Sequence, residues 1–180
     1  MKEPLEQNDN YLILKATQGE AEAFGILFDK YSDKIYRFVY YKVVNKELAE
    51  DLTSQCFLKA WEQISNGQKV KTFQAWVYRI ARNLVVDYYR TREREELPLI
   101  YQNDIEEESN APKFNPEDNL DPEELEKLLL NLRSEVREIV ILKYIEELSI
   151  KEIAKIVDKS AGNVRVILHR ALKDLQDKIK

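Results

Sequence analysis

The sequence predicts an all-α protein in which two small helical domains are joined by a flexible acidic linker. Apolar residues recur at helical spacing, and four glycines and five prolines in 180 residues are few for an all-β fold. Charge is also segregated, since residues 92–126 carry a net charge of −10 and the flanking segments are neutral to basic. We therefore place the domains at 1–92 and 121–180, with the linker at 93–120.

The first domain is predicted to contain a short helix at 11–16 followed by three long helices. Thr17 and Glu20 have the spacing of a capping box, which would start the first long helix, and Phe28 lies in its predicted apolar stripe. Asn45 is a suitable N-cap for the second long helix. The long helices are predicted at 19–43, 46–64 and 72–92.

Leu58 is an apolar residue on the otherwise polar face of the second long helix. Gln55 precedes it by about one helical turn and Asp51 by about two, on the same face. A single exposed leucine is common on protein surfaces, whereas docking of a partner would give this one a function. Both interpretations stay open on the residues alone.

The segment 65–92 and the residues just after it combine cationic and aromatic side chains. Cations follow a phosphate backbone and aromatic rings stack on unpaired bases, so this mixture suits single-stranded nucleic acid. A basic solvated helix face above an aromatic core explains the pattern equally well. The cations are Lys69, Lys71, Arg79, Arg82, Arg90, Arg92 and Arg94, and the tyrosines are Tyr78, Tyr88 and Tyr89.

Residues 149–178 are predicted to form two short helices joined by a tight turn. Ser149 and Glu152 form a capping box for the first helix, and Ser160 can cap the second. The second helix is amphipathic and basic, because residues 159–180 hold six Lys or Arg against two Asp. This pattern favours a helix-turn-helix whose second helix enters the DNA major groove. An αα-hairpin with a solvated basic face is the alternative.

Two further helices should complete a four-helix second domain. One begins at Asp121-Pro122, where an N-cap precedes proline at the first helical position, and the other begins near Ser134. The linker before them holds three of the five prolines and most of the acidic excess. It is either a spacer between the domains or an acidic mimic of nucleic acid.

The chain lacks the residue sets of common enzyme active sites. With one cysteine (Cys56) and one histidine it has neither a Cys/His nucleophile pair nor a Cys/His zinc set, and it has no Gly-rich phosphate loop. His169 lies on a basic helix face, which suits a phosphate or base contact better than a general base. We expect no catalytic residue, metal, cofactor or small-molecule substrate. No signal-peptide core or membrane-length apolar run is present, so a cytoplasmic protein without membrane insertion is expected.

Three segments in this order resemble the bacterial RNA polymerase sigma factors of the extracytoplasmic-function (ECF) type. They are AEDLTSQCFLKAWEQI (49–64), FQAWVYRIARNLVVDYYR (73–90) and REIVILKYIEELSIKEIAKIVDKSAGNVRVILHRALKDL (137–175). The resemblance implies a non-enzymatic subunit that directs core RNA polymerase to promoters. Such a subunit docks on the polymerase clamp, recognises and melts the −10 element and reads the −35 element. Its implied partners are core RNA polymerase, promoter DNA and an anti-sigma factor.

The motif match assigns residues of this chain to each of these contacts. Those implied for polymerase docking are Asp51, Gln55 and Leu58; those for single-stranded −10 DNA are Asn66, Lys69, Lys71, Arg79, Arg82, Tyr88 and Arg90; and those for −35 duplex DNA are Ser160, Asn163, Arg165, His169, Arg170 and Lys173.

The chain departs from the family pattern near its recognition helix, the second helix of the helix-turn-helix. Asp158-Lys159 stands where glycine and an apolar residue are common, and Val166-Ile167 stands where a Ser-Arg pair is common. Contact of Val166 with a thymine methyl group is an alternative to the contacts of that pair. One alternative function is a sigma-like helix-turn-helix regulator that acts without core polymerase. It would bind duplex DNA alone and would not depend on Asp51 or Leu58. A protein-interaction scaffold, the other alternative, would show no salt-dependent affinity for nucleic acid.

Overall fold

The computed structural model describes residues 8–95 and 122–177, and within these ranges every regular element is a helix, as predicted. None of the described helices is long and apolar enough to cross a membrane. The predicted linker lies almost wholly outside the described residues, as does Asp121. The helices are α1 (Asp9–Thr17), α2 (Ala21–Val43), α3 (Lys46–Ser65), α4 (Phe73–Glu95), α5 (Pro122–Leu130), α6 (Ser134–Val140), α7 (Ile150–Val157) and α8 (Ala161–Asp177), and a π-helical turn (Ile141–Ile145) continues α6.

The chain divides into two compact units, and the boundary between them falls after Tyr88. The bounds predicted at 92 and 121 stay predictions. In the first unit, aromatic pairs join α2 to α4: the ring centroids of Tyr31 and Phe73 are 5.2 Å apart, and those of Phe38 and Tyr78 are also 5.2 Å apart. These four rings are buried and form the centre of the core.

A carboxylate joins α1 to α2. Asp9 accepts a hydrogen bond from the Tyr31 hydroxyl over 2.6 Å and one from the Lys30 ammonium over 2.9 Å. Because Tyr31 also packs on Phe73, this carboxylate contacts the rim of the aromatic core. The first helix is thereby held against the rest of the unit.

The predicted Thr17–Glu20 capping box is wrong. Thr17 is still the last residue of α1, and its hydroxyl donates to the Ile13 carbonyl over 2.8 Å. The chain then turns at Gly19, whose φ of 93° is readily adopted only by glycine. Glu20 occupies the N-cap position of α2 without a side-chain capping bond, so the helix begins two residues later than predicted.

The predicted N-cap of α3 is confirmed. The Asn45 side-chain oxygen accepts a hydrogen bond from the Leu48 N–H over 2.8 Å. The preceding residue, Val44, ends α2 in the left-handed conformation with φ 48°, which is strained for a β-branched side chain. The turn from α2 to α3 is therefore set by this pair of residues.

In the second unit, α7 and α8 form the predicted helix-turn-helix. The Ser149 hydroxyl accepts from the Glu152 N–H over 3.3 Å and the Glu152 carboxylate accepts from the Ser149 N–H over 2.8 Å, which confirms the capping box. The Ser160 hydroxyl accepts from the Asn163 N–H over 3.1 Å and caps α8. Between the two helices, Asp158 takes the left-handed conformation with φ 57°.

Arg137 ties α6 to the end of α5. Its guanidinium donates to the carbonyls of Leu129 over 2.7 Å, Leu130 over 3.0 Å and Leu132 over 3.2 Å. These groups belong to the last turn of α5 and the link that follows, where carbonyls lack partners within the helix. The partial burial that comes with this position lowers the pKa of Arg137.

Candidate functional site

The three residues predicted to dock a partner share one exposed face of α3. Asp51, Gln55 and Leu58 follow at spacings of four and three residues, and all three are exposed. The Gln55 amide donates to the Asp51 carboxylate over 2.8 Å. Leu58 is 59% exposed, although Cys56, two residues earlier, is fully buried. We call these three residues the α3 outer face.

Phe28 is an exposed aromatic residue of α2, although the sequence pattern includes it in the predicted apolar stripe that faces the core. It is 41% exposed, and its ring meets that of Phe57 edge-on with a centroid distance of 4.8 Å. Phe57 immediately precedes Leu58 on α3. The buried neighbour Leu27 marks the centre of the apolar stripe, and Phe28 lies about 100° away from it around α2. The assignment of Phe28 to the core was therefore wrong.

A glycine-containing turn links α3 to the segment before α4. Asn66 ends α3, and its N–H donates to the Glu62 carbonyl over 3.0 Å. Gly67 follows with φ 81°, a conformation that favours glycine. Lys69 and Lys71 are exposed in the segment that leads to α4. The segment between α3 and α4 therefore exposes two lysine ammonium groups and one asparagine amide, and all three residues lie outside the helices.

The residues of α4 predicted to contact DNA differ in how far they are exposed. Arg79 and Arg90 are exposed, whereas Arg82 and Tyr88 are half-buried. Tyr78, counted among the aromatic residues that could stack on bases, is fully buried edge-on against Phe38. Its ring belongs to the core, and the interpretation of Tyr78 as a base-stacking residue is wrong.

One side of α8 faces the core and the other faces away from it. Val164, Leu168 and Ala171 are buried. All six residues predicted to contact duplex DNA are exposed: Ser160, Asn163, Arg165, His169, Arg170 and Lys173. The Ser160 hydroxyl also has a structural task, because it caps the helix. Val166 is 46% exposed on the same outward side.

The turn before α8 is fastened to the rest of the second unit. Lys159 forms an ion pair with Glu135 of α6, and its N–H donates to the Ala154 carbonyl over 3.1 Å. Lys159 therefore serves a structural role where an apolar residue is common in the resembled family. The ion pair and the backbone hydrogen bond join this turn to α6 and to α7.

The fold and these surfaces define a class: a two-unit helical protein whose second unit presents a helix-turn-helix. Two protein families match the sequence and define this class more narrowly. Residues 27–95 match the Sigma-70 region 2 model, and residues 123–175 match the Sigma-70, region 4 model. The region 2 match includes the α3 outer face and α4, and the region 4 match includes α7 and all but the last two residues of α8.

Two curated relatives and a solved structure agree with these matches. The chain is 30% identical to the ECF RNA polymerase sigma factor SigW of Bacillus subtilis, over 93% of this chain and 95% of SigW. It is 36% identical to the ECF RNA polymerase sigma factor BldN of Streptomyces coelicolor over 91% of this chain, but it spans only 63% of BldN. The sigma factor RpoE of Bartonella quintana, which was solved in complex with the anti-sigma factor NepR, shares the fold with a TM-score of 0.67. The match covers 87% of this chain and 96% of RpoE, and the two sequences are 22% identical. The chain belongs to the ECF RNA polymerase sigma factors.

Proposed function

We propose that this chain directs core RNA polymerase to specific promoters through three separate surfaces. The observation that carries the proposal is that sigma-70 regions 2 and 4 occur in one chain, and that each holds an exposed face with the residues expected there. The stand-alone regulator is less favoured, because it would have no use for the α3 outer face. The proposed domain bounds are 1–92 and 121–180, with the linker at 93–120 between them.

The α3 outer face is the proposed contact with the polymerase clamp. An exposed leucine flanked by polar side chains can fill an apolar pocket while its neighbours hydrogen-bond at the rim. The Asp51–Gln55 bond at 2.8 Å supports this, because it orders two polar side chains on the face that carries Leu58. These three residues are not needed for the fold, since their side chains lie outside the core.

The segment from Asn66 to Arg90 is the proposed contact with the single-stranded −10 element. Lys69 and Lys71 supply charge on an exposed turn, and Arg79 and Arg90 continue it along α4. With Tyr78 in the core, we assign the base contact to Tyr88, which is half-buried. The half-buried Arg82 completes the assignment.

Helix α8 is the proposed reader of the −35 duplex. Its outward side carries cations for phosphate contacts, with Asn163 and Arg165 near the N-terminal end that enters the groove most deeply. His169, Arg170 and Lys173 follow along the helix. Ser160 is proposed to contact DNA from the N-cap position, where its hydroxyl already accepts the Asn163 N–H.

An anti-sigma factor is the proposed regulator of this chain. The RpoE structure that shares the fold was solved with such a partner, NepR. We further propose that the chain acts in the cytoplasm and has no catalytic activity of its own, as its membership of the family implies.

Promoter binding with and without core polymerase tests the proposal against the stand-alone regulator. A labelled promoter fragment carrying a duplex −35 element and a melted −10 element is titrated with the chain alone, with core enzyme alone and with both. We expect specific, salt-dependent binding only with both. Tight specific binding by the chain alone, unchanged by Leu58→Asp, would instead establish the regulator.

A further inference from the structure

Val166 is an exposed apolar residue on a helix side that is otherwise polar or cationic. It is 46% exposed, whereas Val164 is fully buried and Leu168 is 6% exposed. Asn163, Arg165, His169 and Arg170 around it are also exposed. Packing within the chain therefore does not explain why a large apolar side chain occupies this position.

The position of Val166 makes it a fixed apolar point on α8. It lies between Gly162, one turn earlier, and His169, about one turn later, so these three residues share one side of the helix. A valine in a helix is held almost entirely in one χ1 rotamer because it is branched at Cβ. Its two methyl groups therefore point in one direction, and the side chain loses little conformational entropy when it makes a contact.

Gly162, one turn before Val166, leaves the same side of α8 without a side chain near its start. A Cβ built on Gly162 would meet only the Ser160 hydroxyl at 3.9 Å, an ordinary contact, and its φ is not in the left-handed region. Neither crowding nor backbone conformation therefore requires glycine, which is unfavourable in helices compared with alanine. A missing side chain here lets the start of α8 lie closer to base edges.

We propose that Val166 reads the C5-methyl group of a thymine in the −35 element. This inference rests on the proposed function, because it requires α8 to lie in the major groove of a duplex. The thymine methyl is the apolar group that base pairs present in that groove, and apolar side chains recognise it by direct contact. Gly162 supplies the close approach and Val166 makes the contact, so thymine is distinguished from the other bases at one position.

Replacing thymine by deoxyuridine tests the contact, because it removes only the methyl group. The −35 element is first selected from a randomised library with the holoenzyme, and each thymine in it is then replaced singly. We expect the wild-type holoenzyme to bind the thymine form roughly fourfold more tightly at one position, as burial of one methyl group implies. Val166→Ser should bring that ratio close to one, and Val166→Thr, which keeps one methyl group, should retain part of it.

Leu130→Ser is the matched control. Leu130 is 49% exposed in the same unit but lies on α5, so its replacement should leave the thymine preference intact. Wild-type ratios near one at every thymine would overturn the inference. The inference would also be overturned if Val166→Ser weakened binding to every sequence by the same factor and left the preference for thymine unchanged, because Val166 would then contact protein. A holoenzyme that selects no element would overturn both this inference and the proposed function, whereas a selected element without the methyl preference would overturn this inference alone.

Discussion

Gln55 donates a hydrogen bond to the carboxylate of Asp51 over 2.8 Å, across one turn on the exposed side of α3. A pair of this kind on a helix surface stabilises a helix by only about 0.2–0.5 kcal/mol. The larger consequence of this hydrogen bond is that each of the two side chains restricts the rotamers of the other. Leu58, on the same face, is thus accompanied by polar groups that are already arranged before a partner binds.

Replacing Leu58 should separate binding to polymerase from folding. We expect Leu58→Asp to weaken binding to core polymerase at least tenfold, because a charge would be driven into an apolar contact. The free energy of unfolding should change by no more than about 0.5 kcal/mol, since the side chain is 59% exposed. Titration of labelled chain with core enzyme measures the first quantity, and urea unfolding measures the second.

Leu14→Asp is the control for that prediction. Leu14 is 56% exposed on α1 and does not belong to the α3 outer face. Its replacement should leave polymerase affinity unchanged. Equal losses in the two variants would show that added charge anywhere on the unit weakens binding, and the docking assignment would then fail.

Two variants of Ser160 should separate its capping role from contact with DNA. Ser160→Ala removes the acceptor for the Asn163 N–H and should lower the free energy of unfolding of the second unit by about 1 kcal/mol. Ser160→Asp keeps an acceptor at the N-cap, so stability should be retained, but its negative charge should weaken −35 binding by repelling phosphate. Thermal unfolding and duplex binding by the holoenzyme measure these effects. An aspartate variant that binds DNA normally would place Ser160 away from the duplex.

Arg137 should be among the residues on which the second unit depends most. Arg137→Ala would remove three hydrogen bonds to carbonyls of α5 and of the link after it, although the Leu129 carbonyl would keep its bond from the Leu132 N–H. We expect the free energy of unfolding to fall by about 2–3 kcal/mol. Arg137→Lys can restore one of these bonds and should recover part of the loss. Urea unfolding followed by circular dichroism measures both variants. A loss below about 0.5 kcal/mol for the alanine variant would contradict the role assigned to the guanidinium.

Cys56 should make the first unit less stable at alkaline pH. Burial raises the pKa of its thiol from 9.0 to about 12. Between these values the unfolded chain has released the proton and the folded chain retains it, so stability falls as pH rises. The expected loss is about 1 kcal/mol by pH 10. Comparing the pH dependence of unfolding in the wild type and in Cys56→Ala isolates this contribution, and identical profiles would contradict it.

Local signals predicted the helix-turn-helix well. Ser149, Glu152 and Ser160 act through backbone groups within three residues, so their capping bonds are encoded in short stretches of sequence. The capping box predicted at Thr17 was wrong because the same spacing also occurs where a helix ends. There the Thr17 hydroxyl donates to the carbonyl of Ile13, which precedes it in α1. A capping motif is therefore ambiguous when two helices follow each other closely.

Longer-range packing was harder to predict. Phe28 belongs to the predicted apolar stripe of its helix and Tyr78 lies among cations, yet Phe28 is exposed and Tyr78 is buried because of where the neighbouring helices lie. The π-helical turn at Ile141–Ile145 was not predicted, since side-chain periodicity carries little signal for one widened turn. The residues assigned to polymerase and DNA came chiefly from the family motifs, because exposed side chains leave no packing pattern of their own.

Run-off transcription from a randomised promoter library, using bacterial core polymerase with and without this chain, tests the central claim most directly. We expect transcripts that start downstream of one shared −35 and −10 pair, only when the chain is present, and we expect Leu58→Asp to abolish them while Leu14→Asp does not. The same transcripts with core enzyme alone, or no defined motif in the presence of the chain, would contradict its role as a sigma factor.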